Sequence, residues 1–212
     1  MNRRVLYRLA AAMVCGAAVG FAQPVLAADE AADVMIKRLS TEVLDSIKAD
    51  TAIKGGDTSR IIALVDSKIM PNVNFSRMTA SAVGPAWRQA TPEQKKQLQD
   101  EFKTLLVRTY AGALAEVSEQ VITVKPLRAA ADDKEVVVRT EVRGRGDPIQ
   151  LDYRLEKTPG QGNGWKIFNL NVLGIWLVET YKSQFAQEIT SKGIDGLIST
   201  LAERNKASAK KG

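Results

Sequence analysis

The sequence predicts an α+β fold in which a four-stranded antiparallel meander sheet is covered by a layer of five to six helices. In the first half of the chain, apolar residues recur at helical spacing, whereas between residues 120 and 172 they alternate with polar ones. The connections between the alternating segments are short and rich in Gly, Asp and Pro, which favours antiparallel pairing of consecutive strands. Helical spacing then returns and continues to residue 205.

An export leader precedes this domain. Met1–Arg8 is basic, Leu9–Ala22 is apolar, and Val25–Ala27 supplies small residues for cleavage. The apolar run is too short to span a bilayer, so the pattern is typical of a cleaved secretory signal. We therefore divide the chain into a signal peptide at 1–27, a single domain at 28–205 and a disordered basic tail at 206–212.

Composition excludes several classes of chemistry. The chain has no histidine, and its one cysteine, Cys15, lies in the leader. Imidazole catalysis, His-ligated zinc and disulfides are therefore excluded from the domain, and its stability has to come from packing. Loss of the three leader arginines lowers the formal net charge from +6 to +3. For an exported chain of this charge we expect no nucleic-acid partner, and we find no metal or cofactor motif.

The helices are predicted from apolar stripes and from their caps. Asn74 can cap a short helix that ends at Gly84, where a left-handed glycine is favoured. Thr91-Pro92-Glu93-Gln94 is a capping box with proline at the first helical position, and it opens a helix of about 25 residues. The predicted helices are Asp29–Asp50, residues 58–69, Phe75–Val83, the long helix from residue 92, Gly174–Lys192 and Asp195–Asn205.

The strands differ in how many of their faces are apolar. The predicted strands are Gln120–Leu127, Glu135–Arg143, Ile149–Lys157 and Trp165–Val172. In the second and third, apolar residues alternate with charged ones, so that one face is dry and the other is in water. The fourth has apolar residues on both faces and is expected to be covered on both. A single layer of helices would cover the dry face of the sheet, and the sequence predicts five to six apolar helices. Their apolar side chains either fill a core or line a cavity.

Two stretches resemble the MlaC family, and together they cover nearly the whole chain after the leader. Matching residues between 74 and 114 are Phe75, Gly84, Trp87, Arg88, Thr91, Glu93, Gln94, Phe102, Leu106, Thr109, Tyr110 and Ala111. Matching residues between 164 and 201 are Trp165, Lys166, Ile167, Gly174, Tyr181, Gln184, Phe185 and Gly193–Ile198. A departure is Asn169, where the family more often has Asp.

The resemblance implies a periplasmic phospholipid carrier of the Mla, or toluene-tolerance, ABC transport system. Such proteins hold acyl chains in a deep apolar cavity between a twisted antiparallel sheet and the helices. They exchange lipid with an outer-membrane lipoprotein–porin complex and with the substrate-binding subunit of an inner-membrane ABC transporter, which maintains outer-membrane lipid asymmetry. The resemblance therefore implies a monomer with phospholipid as cargo, no cofactor and no catalysis.

On this basis we assign the cavity wall to side chains with a steric and apolar role. The helices are expected to contribute Phe75, Met78, Val83, Trp87, Leu106 and Tyr110. The sheet and the closing helix are expected to contribute Val138, Leu151, Tyr153, Phe168, Leu170, Val172 and Trp176. No catalytic or metal-binding residue is assigned.

Three other functions stay open on the residues alone. An isomerase or dehydratase of a cone-shaped α+β fold would use Tyr110, Tyr153 and Asp152. Alternation puts Asp152 and Tyr153 on opposite faces of their strand, which disfavours a convergent pair. A chaperone for lipoproteins would need a shallower apolar surface, and an interaction module would have a filled core.

Overall fold

The sheet consists of five strands that follow one another in chain order, each antiparallel to the next. They are β1 (Val121–Val124), β2 (Glu135–Arg143), β3 (Ile149–Lys157), β4 (Trp165–Val172) and β5 (Ile175–Trp176). The α+β class and the meander are therefore confirmed, and the number of strands is corrected from four to five.

The computed structural model describes residues 30–209 except 118, 131 and 145, so the predicted signal peptide lies outside the described residues. Its helices are α1 (Ala32–Ala49), α2 (Thr51–Lys54), α3 (Thr58–Leu64), α4 (Phe75–Val83), α5 (Pro92–Ala115) and α6 (Leu177–Ala209). A π-helical turn at Val65–Ile69 prolongs α3, and short 3₁₀ segments lie at Met70–Asn72 and Gly84–Arg88.

The fifth strand arises from a tight turn that the sequence analysis missed. Val172 pairs with Ile175 across Leu173 and Gly174, whose φ angles are 52° and 86°. Two successive positive φ values are those of a type I′ hairpin turn, in which glycine is favoured at the second position. The closing helix was predicted from Gly174 because the apolar run at 175–178 does not distinguish a short strand from a helical turn.

The first strand is shorter than predicted, since it ends at Val124 instead of Leu127. The N–H of Lys125 still donates to the carbonyl of Arg139, but Pro126 has no N–H to donate and the ladder stops there.

The predicted helix caps are confirmed. The Asn74 side chain accepts a hydrogen bond from the N–H of Arg77, and α4 ends at Gly84 with a φ of 73°. Thr91 and Gln94 form both hydrogen bonds of the capping box at the start of α5. Each cap provides partners for N–H or C=O groups that the helix itself leaves unpaired.

The closing helix has a break at the position where the sequence predicts one. Gly193, with φ 70° and ψ −173°, interrupts α6, because only glycine adopts this conformation without strain. Beyond the break α6 runs to Ala209, into the segment for which the sequence predicts a disordered tail from Lys206. Residues 210–212 lie outside the described residues.

The apolar core consists of three clusters of buried side chains. The first joins α4, α5 and α6, the second joins α1 to the sheet, and the third joins the end of α1 to α2, α3 and α5. Val43, Met70 and Val73 each pack against two of the clusters, and all of them are only half-buried. The core is therefore divided into three clusters that contact one another through half-buried side chains.

Asn169 connects β4 to the start of α6. Its Oδ1 accepts hydrogen bonds from the N–H groups of Leu170 at 2.9 Å and Val178 at 3.1 Å. Its Nδ2 donates to Glu179 Oε2 at 2.8 Å, and Glu179 also pairs with Arg154 of β3. Because Asn169 is only 1% exposed, these partners replace water for its whole amide.

Replacing Asn169 with Ala should lower the free energy of unfolding by about 2–4 kcal/mol, since buried N–H groups lose their acceptor. Urea unfolding followed by circular dichroism measures the change. Asn163→Ala is the control, because half-buried Asn163 donates to the side chain of Asn72, and it should cost less than about 1 kcal/mol. Equal losses in both variants would contradict the role given to Asn169.

Candidate functional site

One face of the sheet, which we call the inner face, carries the apolar residues of the alternating strands. Strand pairing places its residues in rows that cross the sheet. Its members on β2 and β3 are Val136, Val138, Thr140, Val142, Ile149, Leu151, Tyr153 and Leu155. The rows differ in how much packing covers them.

At one end of the sheet the inner face is closed. Val136, Leu155 and Ile167 form a row across β2, β3 and β4, and all are buried. The α1 side chains that pack on this row are Met35, Ile36 and Leu39. This end is therefore ordinary hydrophobic core.

In the middle of the sheet the inner face is incompletely covered. Tyr153 and Leu170 form the next row, and Leu151 and Val172 form the row after it; all four are half-buried. Leu151, Leu170 and Val172 belong to none of the core clusters formed by the described residues. We call the surface formed by Leu151, Tyr153, Leu170 and Val172 the cleft.

At the other end the inner face leads to exposed apolar side chains. Among the described residues, five large apolar side chains are exposed, and three of them lie here. They are Ile149, 42% exposed, Ile175, 58%, and Leu173, 63%, in the turn before Ile175. Burial on β3 therefore decreases from Leu155 at the packed end to Ile149 at the open end, whereas Val138 and Thr140 on β2 are fully buried.

The long helix α5 does not cover the cleft by packing on the sheet. Its extensive contacts are with α2, α3, α4 and α6, and in the described part of the chain no strand shares an extensive contact with it. Leu106 and Tyr110 of α5 remain half-buried. Burial raises the pKa of Tyr110, and the neighbouring Tyr181 raises it further.

Three of the helical residues predicted for the cavity wall lie inside the first core cluster. Phe75, Met78 and Val83 are buried there among side chains of α5 and α6. The ring of Phe75 lies 5.7 Å from that of Phe102, centroid to centroid. Val138, predicted from the sheet, is likewise buried, against α1 in the second cluster.

Trp87 packs on the outside of the first cluster. It is half-buried, and Lys95 Nζ lies 5.6 Å from the centroid of its ring. Trp87 also lines a surface pocket of about 400 Å³ together with Arg77 and Arg88. A second surface pocket, of about 320 Å³, is lined mostly by charged and polar residues around β2. Neither pocket includes the side chains of the cleft.

Phe168 and Trp176 are each stacked under a cation. Phe168 is the extra residue where the pairing of β3 with β4 shifts register, and the Arg77 guanidinium lies 3.6 Å from its ring centroid. Arg154 lies 4.0 Å from the ring centroid of Trp176. Burial alone would raise the pKa of Glu179, but hydrogen bonds from Asn169 and Arg154 hold it below its usual value.

Tyr153 packs against the second core cluster, and its hydroxyl forms hydrogen bonds with Ser40 of α1 and Thr140 of β2. Burial raises the pKa of the Tyr153 phenol to about 12, and nearby Asp152 raises it further, although the hydrogen bonds oppose the shift.

The residues considered for catalysis do not converge. Strand register puts Asp152 on the face opposite Tyr153, paired with Arg139 and Asn171. The Asp152 carboxylate accepts hydrogen bonds from Gln150 and from a backbone N–H. Among residues 30–209, with the gaps stated above, no three His, Cys, Asp or Glu side chains cluster as a metal site.

Sequence reasoning missed several residues at the cleft. Val142 and Ile149 could have been identified from the sequence, because they continue the apolar alternation of β2 and β3 towards the open end. Ile175 was assigned to a helix, and Ser40 gave no signal, because one serine in a helix has no pattern. In the part of the chain that the structure describes, no helix is both long enough and apolar enough to cross a bilayer.

Comparison with known proteins identifies relatives along most of the chain. A sequence profile described as MlaC protein matches residues 37–203. Toluene tolerance protein ttg2D of Pseudomonas putida is 29% identical over 181 residues, covering 82% of each chain. The intermembrane phospholipid transport system binding protein MlaC of Haemophilus influenzae is 22% identical over 172 residues, covering 80% of each chain.

A solved structure is similar in both sequence and fold. It is a phospholipid-binding protein from Ralstonia solanacearum in complex with a phospholipid. It is 50% identical, with a TM-score of 0.81, and the match covers 85% of this chain and 99% of that one. The fold described above is therefore shared with a relative crystallised with lipid.

The buried phenols should ionise late and in a defined order. We expect phenolate absorbance in the chain without its leader to appear above pH 10, with the last step near pH 12 missing in Tyr153→Phe. Because the folded pKa is raised, stability should fall as pH rises from about 10 to 12, and less steeply in this variant. Simultaneous ionisation of all three tyrosines near pH 10 would contradict the burial of Tyr153.

Proposed function

The chain belongs to the MlaC family, and from this premise we propose that it is a periplasmic phospholipid carrier. Its proposed role is to move lipid between the outer and inner membranes and so to maintain outer-membrane lipid asymmetry. The observation that carries the proposal is the cleft, where Leu151, Leu170 and Val172 are only half-buried and belong to none of the core clusters formed by the described residues. Unpartnered apolar surface inside a fold is unfavourable in water and is stabilised when an apolar ligand covers it.

The relatives support phospholipid as the ligand. One curated relative is named for intermembrane phospholipid transport, and the Ralstonia protein, which shares half of its aligned residues with this chain, holds a phospholipid. A phospholipid offers two apolar chains to an apolar cleft and a polar headgroup to water. We therefore place the tails in the cleft and the headgroup near its open end.

The half-buried residues are the best candidates for contact with the tails. In this proposal Leu151, Leu170 and Val172 form one wall, and Leu106 and Tyr110 of α5 form the other. Phe75, Met78, Val83 and Val138 would support the walls from behind, since they are already packed. Phe168, Trp176 and Trp87 would act at the periphery, where each ring already contacts a cation. No residue has a chemical role, and no cofactor is required.

The free energy of burying acyl chains makes release of lipid into water unfavourable, which favours transfer to a partner protein. Burial of a methylene contributes about 0.8 kcal/mol, so about 30 methylenes would contribute roughly 24 kcal/mol. This exceeds the practical limit of non-covalent affinity, roughly 18–21 kcal/mol. Lipid would therefore leave only towards another apolar site. We propose the substrate-binding subunit of an inner-membrane ABC transporter and an outer-membrane lipoprotein–porin complex as the partners that supply such sites.

The proposal places the protein between the two membranes. The leader at 1–27 fits export, and a carrier must leave one membrane to reach the other. A chain of this kind would work as a monomer, because the cleft is built from elements of one chain.

The simplest experiment is organic extraction of the purified protein, followed by mass spectrometry. We expect diacyl phospholipid at close to one molecule per chain. Protein that carries no lipid, and takes none from vesicles, would contradict the proposal.

Leu151→Glu should lower lipid occupancy by about tenfold or more, because an unpaired carboxylate would lie against the tails. Val137→Glu is the matched control. Val137 is half-buried on the opposite face of the sheet, paired with Arg154, so this variant should keep its lipid. If folded Leu151→Glu protein keeps wild-type occupancy, Leu151 does not contact the cargo.

Release of labelled lipid should depend on an acceptor. We expect negligible loss into buffer and rapid loss when the transporter's substrate-binding subunit is added. A protein that cannot bind lipid serves as the acceptor control. Fast loss into buffer alone would show that the tails are not sequestered.

A further inference from the structure

On β3, the inner face changes from buried to half-buried at one residue. Leu155, 0% exposed, lies in the closed row under α1, whereas Leu151 on the other side of Tyr153 is half-buried. Tyr153 therefore stands at the boundary between hydrophobic core and cleft.

Tyr153 is also held in place more firmly than its neighbours. Its hydroxyl bonds to Ser40 on α1 and to Thr140 on β2, and the Thr140 hydroxyl in turn donates to the carbonyl of Leu151 at 2.5 Å. A ring fixed at both ends resists displacement by a flexible acyl chain, whereas Leu170 beside it has no such restraint.

The open part of the inner face has the length of one lipid tail. A strand rises about 3.4 Å per residue, so the four steps from Tyr153 to Ile149 span about 13 Å. The hydrocarbon core of a bilayer is about 30 Å thick, so one tail extends about 15 Å in its leaflet.

We propose that Tyr153 is the end stop of the cleft and limits the length of acyl chain that the protein accommodates. This inference rests on the proposed function, but it concerns selectivity and not binding itself. Methylenes between Ile149 and Tyr153 are removed from water and add to affinity. Methylenes beyond that length find no space, because the row behind Tyr153 is filled by α1.

The end stop can be tested with single-chain phospholipids. Saturated lysophosphatidylcholines of increasing chain length would displace a fluorescent fatty acid from the delipidated protein. In the wild type we expect affinity to rise about fourfold per methylene and then to stop rising at a defined length. In Tyr153→Leu the break should move by at least one two-carbon step towards longer chains.

Two further variants make the result decisive. Tyr153→Met removes the ring in a different way and should move the break in the same direction, which covers a failure of Tyr153→Leu to fold. Tyr110→Leu makes the matched change on α5; it should weaken all chain lengths alike and leave the break in place. Thermal unfolding checks that each variant is folded.

The outcomes separate this inference from the proposed function. If no lysophospholipid displaces the probe from the wild type, both are overturned. If the series binds but affinity rises without a break, or the break is the same in the wild type and the Tyr153 variants, only the end stop is overturned. A break that moves equally in Tyr110→Leu would also overturn it, because the position of the ring would not matter.

Discussion

The structure depends on α1 covering only one end of the inner face of the sheet. The helix α1 covers one end of this face with tightly packed side chains, whereas α5 buries its apolar stripe among other helices. In the middle rows, Leu151, Leu170 and Val172 are therefore half-buried and lie outside the core clusters formed by the described residues. A protein that only needed stability would be expected to pack these side chains into its core, since looser packing forfeits van der Waals contacts.

The opposite face of the sheet is held to α6 by polar contacts. Arg154, Glu179 and Asn169 join β3, β4 and α6 through hydrogen bonds and an ion pair. Asn169 supplies an N–H donor that an ionised Asp at this position would lack. Next to the Glu179 carboxylate, a donor is favourable and a second negative charge is not. Polar contacts on this face therefore connect β3, β4 and α6, although the inner face of β3 and β4 is incompletely packed.

Local rules predicted the elements well where backbone chemistry decides them. The capping box at Thr91 and the glycine break at Gly193 lie where the sequence placed them, and alternation in β2 and β3 identified the inner face. The short β5 was missed because the positive φ of Leu173 is imposed by the turn and has no signature in that residue.

The lining of the cleft was harder to predict than the fold. Met78 and Leu106 both lie on apolar stripes at helical spacing, yet one is buried in the core and the other is half-buried. Periodicity reports that a side chain points inward and does not report what covers it. That depends on contacts between distant elements, such as α1 on β2 or α5 on α6, which no local pattern encodes.

The most direct measurement is photo-crosslinking of the protein to a phospholipid with a photoreactive group in its tail, followed by peptide mapping. We expect adducts on the inner-face strands and α5, centred on Leu106, Leu151, Leu170 and Val172. Adducts confined to the surface pocket at Trp87 and Arg88, or spread over the outer face of the sheet, would contradict it.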